Sequence, residues 1–238
     1  MNAAGGGITV GTPPLSSLAN AMFTIQNSTF QNCSSSSGAG AVSVNLAGGG
    51  SNNAFLSENI NITDGYGMTA GGIAVVIGSP QGSSTLSNKN NSITLNNSTC
   101  TSCSGGTHVA NNSGAGGFLI SISSHSSSNE YNRVSSSGVL CNMCSGGSFS
   151  GPRGAASFVY GSGAAGLMLS LWTQSGNNKG NRVEMRNFTC FQCSGGSGNR
   201  LSGAAGLGIS YFAYTKDNIN NFESITSTHG TNCSGGNS

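Results

Sequence analysis

The sequence predicts an all-β protein, a right-handed parallel β-helix (a solenoid) of about six coils with three short strands in each. One unit recurs along the chain of 238 residues, and its first strand starts near residues 5, 38, 70, 114, 163 and 203. Apolar residues come in short runs, and none has the i, i+3, i+4 spacing of an amphipathic α-helix. Self-similarity at such spacings is typical of repeat proteins. We therefore expect residues 1–238 to form a single repeat domain.

The first strand of each repeat is a run of glycine and alanine that ends in apolar residues. It reads Gly-Ala-Ala-Gly-Leu-Gly-Ile-Ser at residues 203–210 and Gly-Ala-Ala-Gly-Leu at residues 163–167. Small residues allow a backbone to bend or to approach its neighbour closely. Successive copies are separated by 33, 32, 44, 49 and 40 residues, so we expect fixed strands joined by polar loops of variable length.

The second strand of each repeat follows an asparagine. In a parallel β-helix, equivalent residues of neighbouring coils lie about 4.8 Å apart. An amide side chain can donate to one neighbour and accept from the other, so stacked asparagines form a hydrogen-bonded ladder. We predict that this ladder contains Asn53, Asn91, Asn132, Asn181 and Asn221.

The third strand of each repeat leads into a cysteine that Ser-Gly-Gly follows in most copies. Residues 187–193 are an example, since they read Asn-Phe-Thr-Cys-Phe-Gln-Cys. The ladder asparagine lies 12 residues before this cysteine in four consecutive repeats, which end at Cys103, Cys144, Cys193 and Cys233. This constancy is the strongest regularity in the sequence, and it predicts that the cysteines stack as well.

Two short motifs carry a family resemblance. The runs Gly-Gly-Ile-Ala at residues 71–74 and Gly-Ala-Val at residues 40–42 are similar to a Gly-Gly-Ala-Ile strand, and Phe30-Gln31-Asn32-Cys33 is similar to a Phe-x-x-Asn segment. In these motifs the chain resembles the polymorphic-membrane-protein-like repeats of surface adhesins, within the pectin-lyase-like β-helix class. The resemblance implies a β-helix displayed on a cell surface, with a role in adhesion or assembly.

The eight cysteines are the strongest candidates for chemistry. Three pairs have the spacing Cys-x-x-Cys, which in other contexts indicates a zinc site. Here the pairs recur at one place in consecutive coils, as columns rather than a converging cage, so we expect no metal and no cofactor. Most cysteines should instead be oxidised in an oxidising compartment, with pairing open both within a motif and between coils about 4.8 Å apart. The candidates are Cys33, Cys100, Cys103, Cys141, Cys144, Cys190, Cys193 and Cys233.

Glycosylation sequons, Asn-x-Ser/Thr, are frequent. Surface glycans would supply solubility that the few charged side chains do not. In a chain this rich in asparagine and serine, many sequons also arise by chance. The candidates are Asn27, Asn32, Asn61, Asn90, Asn96, Asn97, Asn111, Asn187 and Asn232.

Two other functions occur on β-helices, polysaccharide cleavage and ice binding. Cleavage needs clustered carboxylates, or carboxylates with calcium and a basic residue. The six acidic residues are scattered over different strands and loops, and the three histidines lie in turns without triad or metal spacing. Ice binding needs a regular array such as repeated Thr-x-Thr, whereas these strands are rich in leucine, isoleucine and valine. We expect neither function, and no catalytic residue.

Composition restricts the possible partners further. Charged residues make up 6% of the chain and the net charge is +2, so no basic stripe is present for nucleic acid or anionic lipid. No apolar run approaches the roughly 20 residues that span a bilayer. We expect an extracellular or cell-surface protein whose main partner is itself.

The two ends of the sequence complement each other. Writing residues 233–238 before residues 1–8 produces one more normal repeat junction, with 13 steps from cysteine to apolar residue against 14 from Cys193 to Leu207. We therefore expect a head-to-tail homopolymer, with a Cys233–Cys33 bond as an optional lock. A β-helix segment of a larger surface adhesin is the alternative. The predicted junction contains Gly5, Gly6, Gly7, Ile8, Cys233, Gly235 and Gly236.

Overall fold

The computed structural model describes residues 7–13, 16–46, 48–78, 87–106, 114–148, 163–197, 203–213 and 215–236. Within these ranges every regular element is a β-strand, which confirms the all-β class. Gly5, Gly6 and Asn111 lie outside the described residues.

Most strands are short, from two to seven residues, and two reach ten residues. The first half of the chain contains β1 (Ile8–Thr12), β2 (Leu18–Ala19), β3 (Met22–Gln31), β4 (Ser34–Ser35), β5 (Val42–Leu46), β6 (Gly50–Ser51), β7 (Ala54–Thr63), β8 (Tyr66–Gly67), β9 (Ile73–Ile77), β10 (Asn88–Lys89), β11 (Ser92–Asn96), β12 (Thr99–Thr101) and β13 (Ser104–Gly105). The second half contains β14 (Phe118–Ser124), β15 (Asn129–Glu130), β16 (Arg133–Ser137), β17 (Leu140–Asn142), β18 (Leu167–Thr173), β19 (Asn178–Lys179), β20 (Arg182–Arg186), β21 (Thr189–Phe191), β22 (Leu207–Ala213), β23 (Asn218–Ile219), β24 (Phe222–Thr226) and β25 (His229–Thr231).

All pairings between these strands are parallel and join equivalent positions of neighbouring repeats. The Gly/Ala strands form a six-stranded sheet in the order β1-β5-β9-β14-β18-β22, so β1 and β22 are its edges. A second six-stranded sheet runs β2-β6-β10-β15-β19-β23. The strands after the ladder asparagine and those before the cysteine share a ten-stranded sheet, while β13, β8 and β4 form a small fourth sheet.

The last four repeats contain the three predicted strands separately, whereas in the first two repeats the second and third are one continuous strand, β3 or β7. The repeats also contain more pairing than we predicted. The polar stretch before the ladder asparagine contributes a two-residue strand, such as Asn178–Lys179. The serine after the second cysteine pairs as well, because bridges join Ser104, Ser145, Ser194 and Ser234 in turn. These extra pairings form because neighbouring repeats follow the same backbone path, so their backbone N–H and C=O groups can also pair at the corners between the longer strands.

Three columns of left-handed residues mark the corners of the repeat. Asparagine tolerates positive φ better than other residues with a side chain, because its short amide hydrogen-bonds locally. The enrichment of asparagine therefore has a backbone cause that the sequence analysis missed. The first column is Asn20, Asn52, Asn90, Tyr131, Gly180 and Asn220; the second is Asn27, Asn59, Asn97, Gly138, Asn187 and Ser227; the third is Asn32, Asp64, Ser102, Met143, Gln192 and Asn232.

The core consists mainly of apolar columns from the Gly/Ala sheet and the ten-stranded sheet. Side chains alternate between the two faces of a strand, and one face of each inner Gly/Ala strand, β5, β9, β14 and β18, is buried. Leu46, Ile77, Ile122 and Leu171 occupy one such column, and each is at most 2% exposed. The column ends in Tyr211 at the last repeat. An inserted polar side chain at these positions would therefore face only apolar neighbours.

We predict that Gly78→Ala destabilises the fold by about 2 kcal/mol or more. The φ angle of Gly78 is +82°, and an added Cβ would clash with the Ser123 carbonyl oxygen. Gly208→Ala is the control, because its Cβ would make only ordinary contact with Ala164 at 3.5 Å. Urea unfolding of both variants measures the difference, and equal midpoints would contradict the assignment of Gly78.

Candidate functional site

The predicted asparagines form one continuous ladder in the interior. The Nδ2 group of Asn91 donates to Oδ1 of Asn132 at 2.9 Å and to the carbonyl oxygen of Gly50 at 2.8 Å. The backbone N–H of Asn91 donates to the same Oδ1 at 3.1 Å. The pattern repeats from Asn53 to Asn91, from Asn132 to Asn181 and from Asn181 to Asn221.

A second ladder, which the sequence analysis missed, lies three residues earlier in the chain. Asn88 donates to Asn129, Asn129 to Asn178 and Asn178 to Asn218, each Nδ2 to Oδ1 at 2.9 Å. Asn88, Asn129 and Asn178 are fully buried. The signal was available in the sequence, because each of four ladder asparagines has another asparagine three residues before it.

We predict that Asn132→Ala lowers the free energy of unfolding by about 2–5 kcal/mol, because two buried donors of Asn91 would lose their acceptor. Asn61→Ala is the control, since Asn61 is exposed on the outer face of β7, and its effect should stay within about 0.5 kcal/mol. Chemical denaturation measures both variants. A loss for Asn132→Ala no larger than for the control would show that the ladder contributes little stability.

The cysteines also stack in register. Cys100, Cys141 and Cys190 are partners in neighbouring strands, and all three are at most 2% exposed. The second cysteine of each motif reaches across to the previous repeat: the Cys144 thiol donates to the Cys100 carbonyl at 3.2 Å, and the Cys193 thiol donates to the Cys141 carbonyl at 3.4 Å.

One disulfide is present, between Cys100 and Cys103, with Cα atoms 5.9 Å apart. The expectation that most cysteines are oxidised is met at this motif only. Two of the remaining thiols, in the first and last repeats, lack a cysteine three residues earlier, because Phe30 and Gly230 stand there. The free thiols are Cys33, Cys141, Cys144, Cys190, Cys193 and Cys233.

Three sulfurs converge at each of two places, which the column interpretation did not anticipate. The Sγ atoms of Cys100, Cys103 and Cys144 lie within 4.8 Å of one another, but two of them share the disulfide. The Sγ atoms of Cys190, Cys193 and Cys233 lie equally close and are all thiols. Of the two groups, this second one could present three thiolates to a soft metal ion. The first group shows the alternative use of the same geometry, a disulfide beside a single thiol.

We predict that native alkylation modifies Cys33 and Cys233 well before Cys144 and Cys190. Cys33 and Cys233 are half-buried, whereas Cys144 and Cys190 are buried. Side-chain hydrogen bonds with Cys141 and Cys193, followed by burial, raise the pKa of Cys144, and a hydrogen bond with Cys193 together with burial raises the pKa of Cys190. A raised thiol pKa leaves less reactive thiolate.

Mass spectrometry after iodoacetamide treatment, with and without urea, measures this order. Modification of Cys144 as fast as Cys33 under native conditions would refute it. Pretreatment with a reductant is the control for the Cys100–Cys103 bond.

The acidic residues lie in separate places, and three of them have identified polar partners. Glu184 lies between two arginines, with a contact of 2.9 Å to Arg133 and a shorter one to Arg182. Hydrogen bonds from Arg182 and then Arg133 lower the pKa of the Glu184 carboxyl. Glu58 accepts a hydrogen bond from Gln26 at 2.6 Å, and Glu130 lies 3.7 Å from Lys89. Apart from the contact between Glu184 and Arg182 within β20, these contacts join neighbouring repeats, so the acids serve to link strands.

The sequon asparagines that the structure describes are on the surface. Asn96 is half-buried, and the other seven are exposed. Six of the eight stand at left-handed corner positions: Asn27, Asn32, Asn90, Asn97, Asn187 and Asn232. The frequency of sequons thus has a backbone explanation in addition to any glycan, because a corner that favours asparagine is followed by serine or threonine within two residues.

The last repeat leaves part of the core open. A cavity of about 320 Å³ lies at this end, and its lining includes Phe188, Cys190, Leu207, Ile225 and Gly230. Ile225 is 41% exposed although its partner in the previous repeat, Met185, is fully buried. We call the open side of β22–β25 the C-terminal face. Of the predicted junction residues, Cys233, Gly235 and Gly236 belong to this repeat.

The first repeat leaves the opposite side of the sheets open. Ile8 is 42% exposed although its partner in the next repeat, Val42, is fully buried. Phe23 and Phe30 are only partly buried against the core. We call the open side of β1–β4 the N-terminal face. Of the predicted junction residues, Gly7 and Ile8 belong to it. The two faces lie at opposite ends of the strand order, so they can meet only between two molecules or with further repeats.

No family model, curated protein or solved structure matches the chain. In the part of the chain that the structure describes, no helix is long and apolar enough to span a bilayer.

Proposed function

We propose that this chain is a structural protein that stacks head to tail into a β-helical filament at the cell surface or outside the cell. Each molecule would be a right-handed parallel β-helix of about six coils. The filament would be a surface appendage or a matrix fibre. The observation that carries the proposal is the pair of open faces, which expose apolar core columns at both ends of the strand order.

Register and corner conformation support the β-helix. Each repeat contributes strands to the same sheets in the same order, and three left-handed residues recur at fixed places between them. A chain that turns at three fixed corners and returns beside its previous repeat traces a coil. The two buried ladders hold neighbouring coils in register, because a slip of one residue would remove every amide from its partner.

The open faces support assembly. An edge strand with unpaired N–H and C=O groups is a template for another chain, and soluble proteins usually protect it with charge, proline or a cover. Here the end positions of core columns include Ile8 and Ile225, both more than 40% exposed. A contact between two different faces is heterologous, so it produces open fibres unless rotation closes a ring.

Surface location follows from the same assembly and from the side chains. The Cys100–Cys103 disulfide suits an oxidising compartment. Exposed sequons such as Asn61 and Asn187 can accept glycans there. With 6% charged residues, the protein needs another source of solubility, which glycans would provide. We propose no enzymatic activity, nucleic-acid partner or cofactor for this chain.

The proposal predicts filaments with an axial repeat of about 29 Å per molecule, from six coils of about 4.8 Å each. Cryo-electron microscopy and sedimentation velocity measure the repeat and its concentration dependence. Ile225→Lys should abolish assembly, because the new charge enters a core column that stacking would bury. The subunit should still fold, since Ile225 is 41% exposed.

Thr226→Lys is the matched control, because Thr226 is exposed and adjacent on the same strand but points to the opposite face. Filaments with a markedly different rise, or with lateral packing and free ends, would contradict head-to-tail stacking. A monomer at every concentration would instead favour the alternative, a β-helix segment within a larger surface adhesin. Cleavage of a polysaccharide that depends on one of the acids would overturn the structural role.

A further inference from the structure

We propose that the junction between two copies is keyed, with Phe30 of one copy filling the cavity beside Gly230 of the next. This inference rests on the proposed head-to-tail assembly and adds the residues that define its register. It names a second copy of this chain as the occupant of the C-terminal face.

One core column carries the argument. Phe30 pairs with Ile62, Ile62 with Cys100, Cys100 with Cys141, Cys141 with Cys190 and Cys190 with Gly230. The column therefore starts with its largest side chain at the N-terminal face and ends with none at the C-terminal face. Stacking in the same register places the residue without a side chain next to the largest one.

The cavity is open where that aromatic ring would enter. A Cβ atom added to Gly230 would meet no heavy atom within 4 Å, and Gly230 lines the cavity of about 320 Å³ together with Phe188 and Leu207. At the other face, Phe30 is partly buried, so it already points towards the core and has one side uncovered. A phenylalanine in an apolar pocket removes about 150–250 Å² from water.

The neighbouring columns match in the same register. Continuing the strand pairs across the junction sets Ile25 on Ile225 and Ile8 on Leu207, which pairs apolar side chains in two further core columns. Two buried hydroxyls also fall in one column, Thr12 at its start and Tyr211 at its end, and neither has a hydrogen-bond partner among the described residues. Stacking brings these unpaired groups to the same interior region.

One residue of the C-terminal face, Glu223, weakens the contact between two copies. Glu223 stands at the end of a column that otherwise contains Phe23, Phe55, Ile93, Val134 and Val183. The Glu223 side chain is exposed in the single molecule and would be covered by stacking. Covering the Glu223 carboxylate with Phe23 of the next copy costs free energy. The affinity between two copies is therefore lower than it would be with an apolar residue at position 223.

The experiment measures association by sedimentation velocity in Gly230→Phe, in Phe30→Ala/Gly230→Phe and in Thr226→Phe. Gly230→Phe should weaken association about 30-fold, equivalent to about 2 kcal/mol, because two aromatic rings would compete for one cavity. The double variant moves the ring to the other face and should recover association to within about threefold of wild type. Thr226→Phe, on the outer face of the same end, should leave association unchanged.

Thermal unfolding of Gly230→Phe serves as the folding control, since the site is open in the single molecule. Equal association of wild type, Gly230→Phe and Thr226→Phe would overturn the keyed junction and leave head-to-tail assembly in place. A wild-type chain that stays monomeric would overturn the assembly itself. Glu223→Gln should strengthen association, and weaker association would show that the stacking register is wrong.

Discussion

Hydrogen bonding between identical side chains in neighbouring repeats is the interaction on which the rest of the structure depends. Each buried amide in the ladder from Asn53 to Asn221 satisfies both the next amide and a backbone group. A buried amide without partners would cost more than a hydrogen bond contributes. The hydrogen bonds of the ladder therefore form only when consecutive repeats stay in one register, and that register aligns all the remaining columns as well.

Once the register is set, each column must suit one environment along its whole length. Interior columns carry isoleucine, leucine, valine and cysteine, and corner columns carry asparagine because a left-handed backbone recurs there. The cysteines illustrate the consequence most clearly. Stacking makes Cys100, Cys141 and Cys190 neighbours, so the same motif supports a disulfide in one repeat and a group of three thiols in another.

Each residue in a column packs between its counterparts in the two adjacent repeats, so the residues at the two ends of the column lack one of these neighbours. In this chain several incomplete positions are apolar, among them Ile8 and Ile225, and one column differs in size between its two ends, Phe30 and Gly230. The same repetition that stabilises the interior thus leaves two different open faces, which we propose stack on each other. The low charge and the exposed sequons are compatible with a protein that carries glycans on its surface and whose ends are covered by further copies of the same chain.

The sequence by itself determined the repeat, the all-β class and the members of the first ladder, because identical spacing places identical residues in one column. It did not reveal the second ladder of Asn88, Asn129, Asn178 and Asn218 or the corner role of Asn90 and Asn187. Only the tertiary structure decided these, since backbone conformation and burial depend on how the coils turn. The tertiary structure also decided the convergence of Cys190, Cys193 and Cys233 and the open cavity at Gly230. Both features depend on contacts between repeats, which a local sequence pattern does not show.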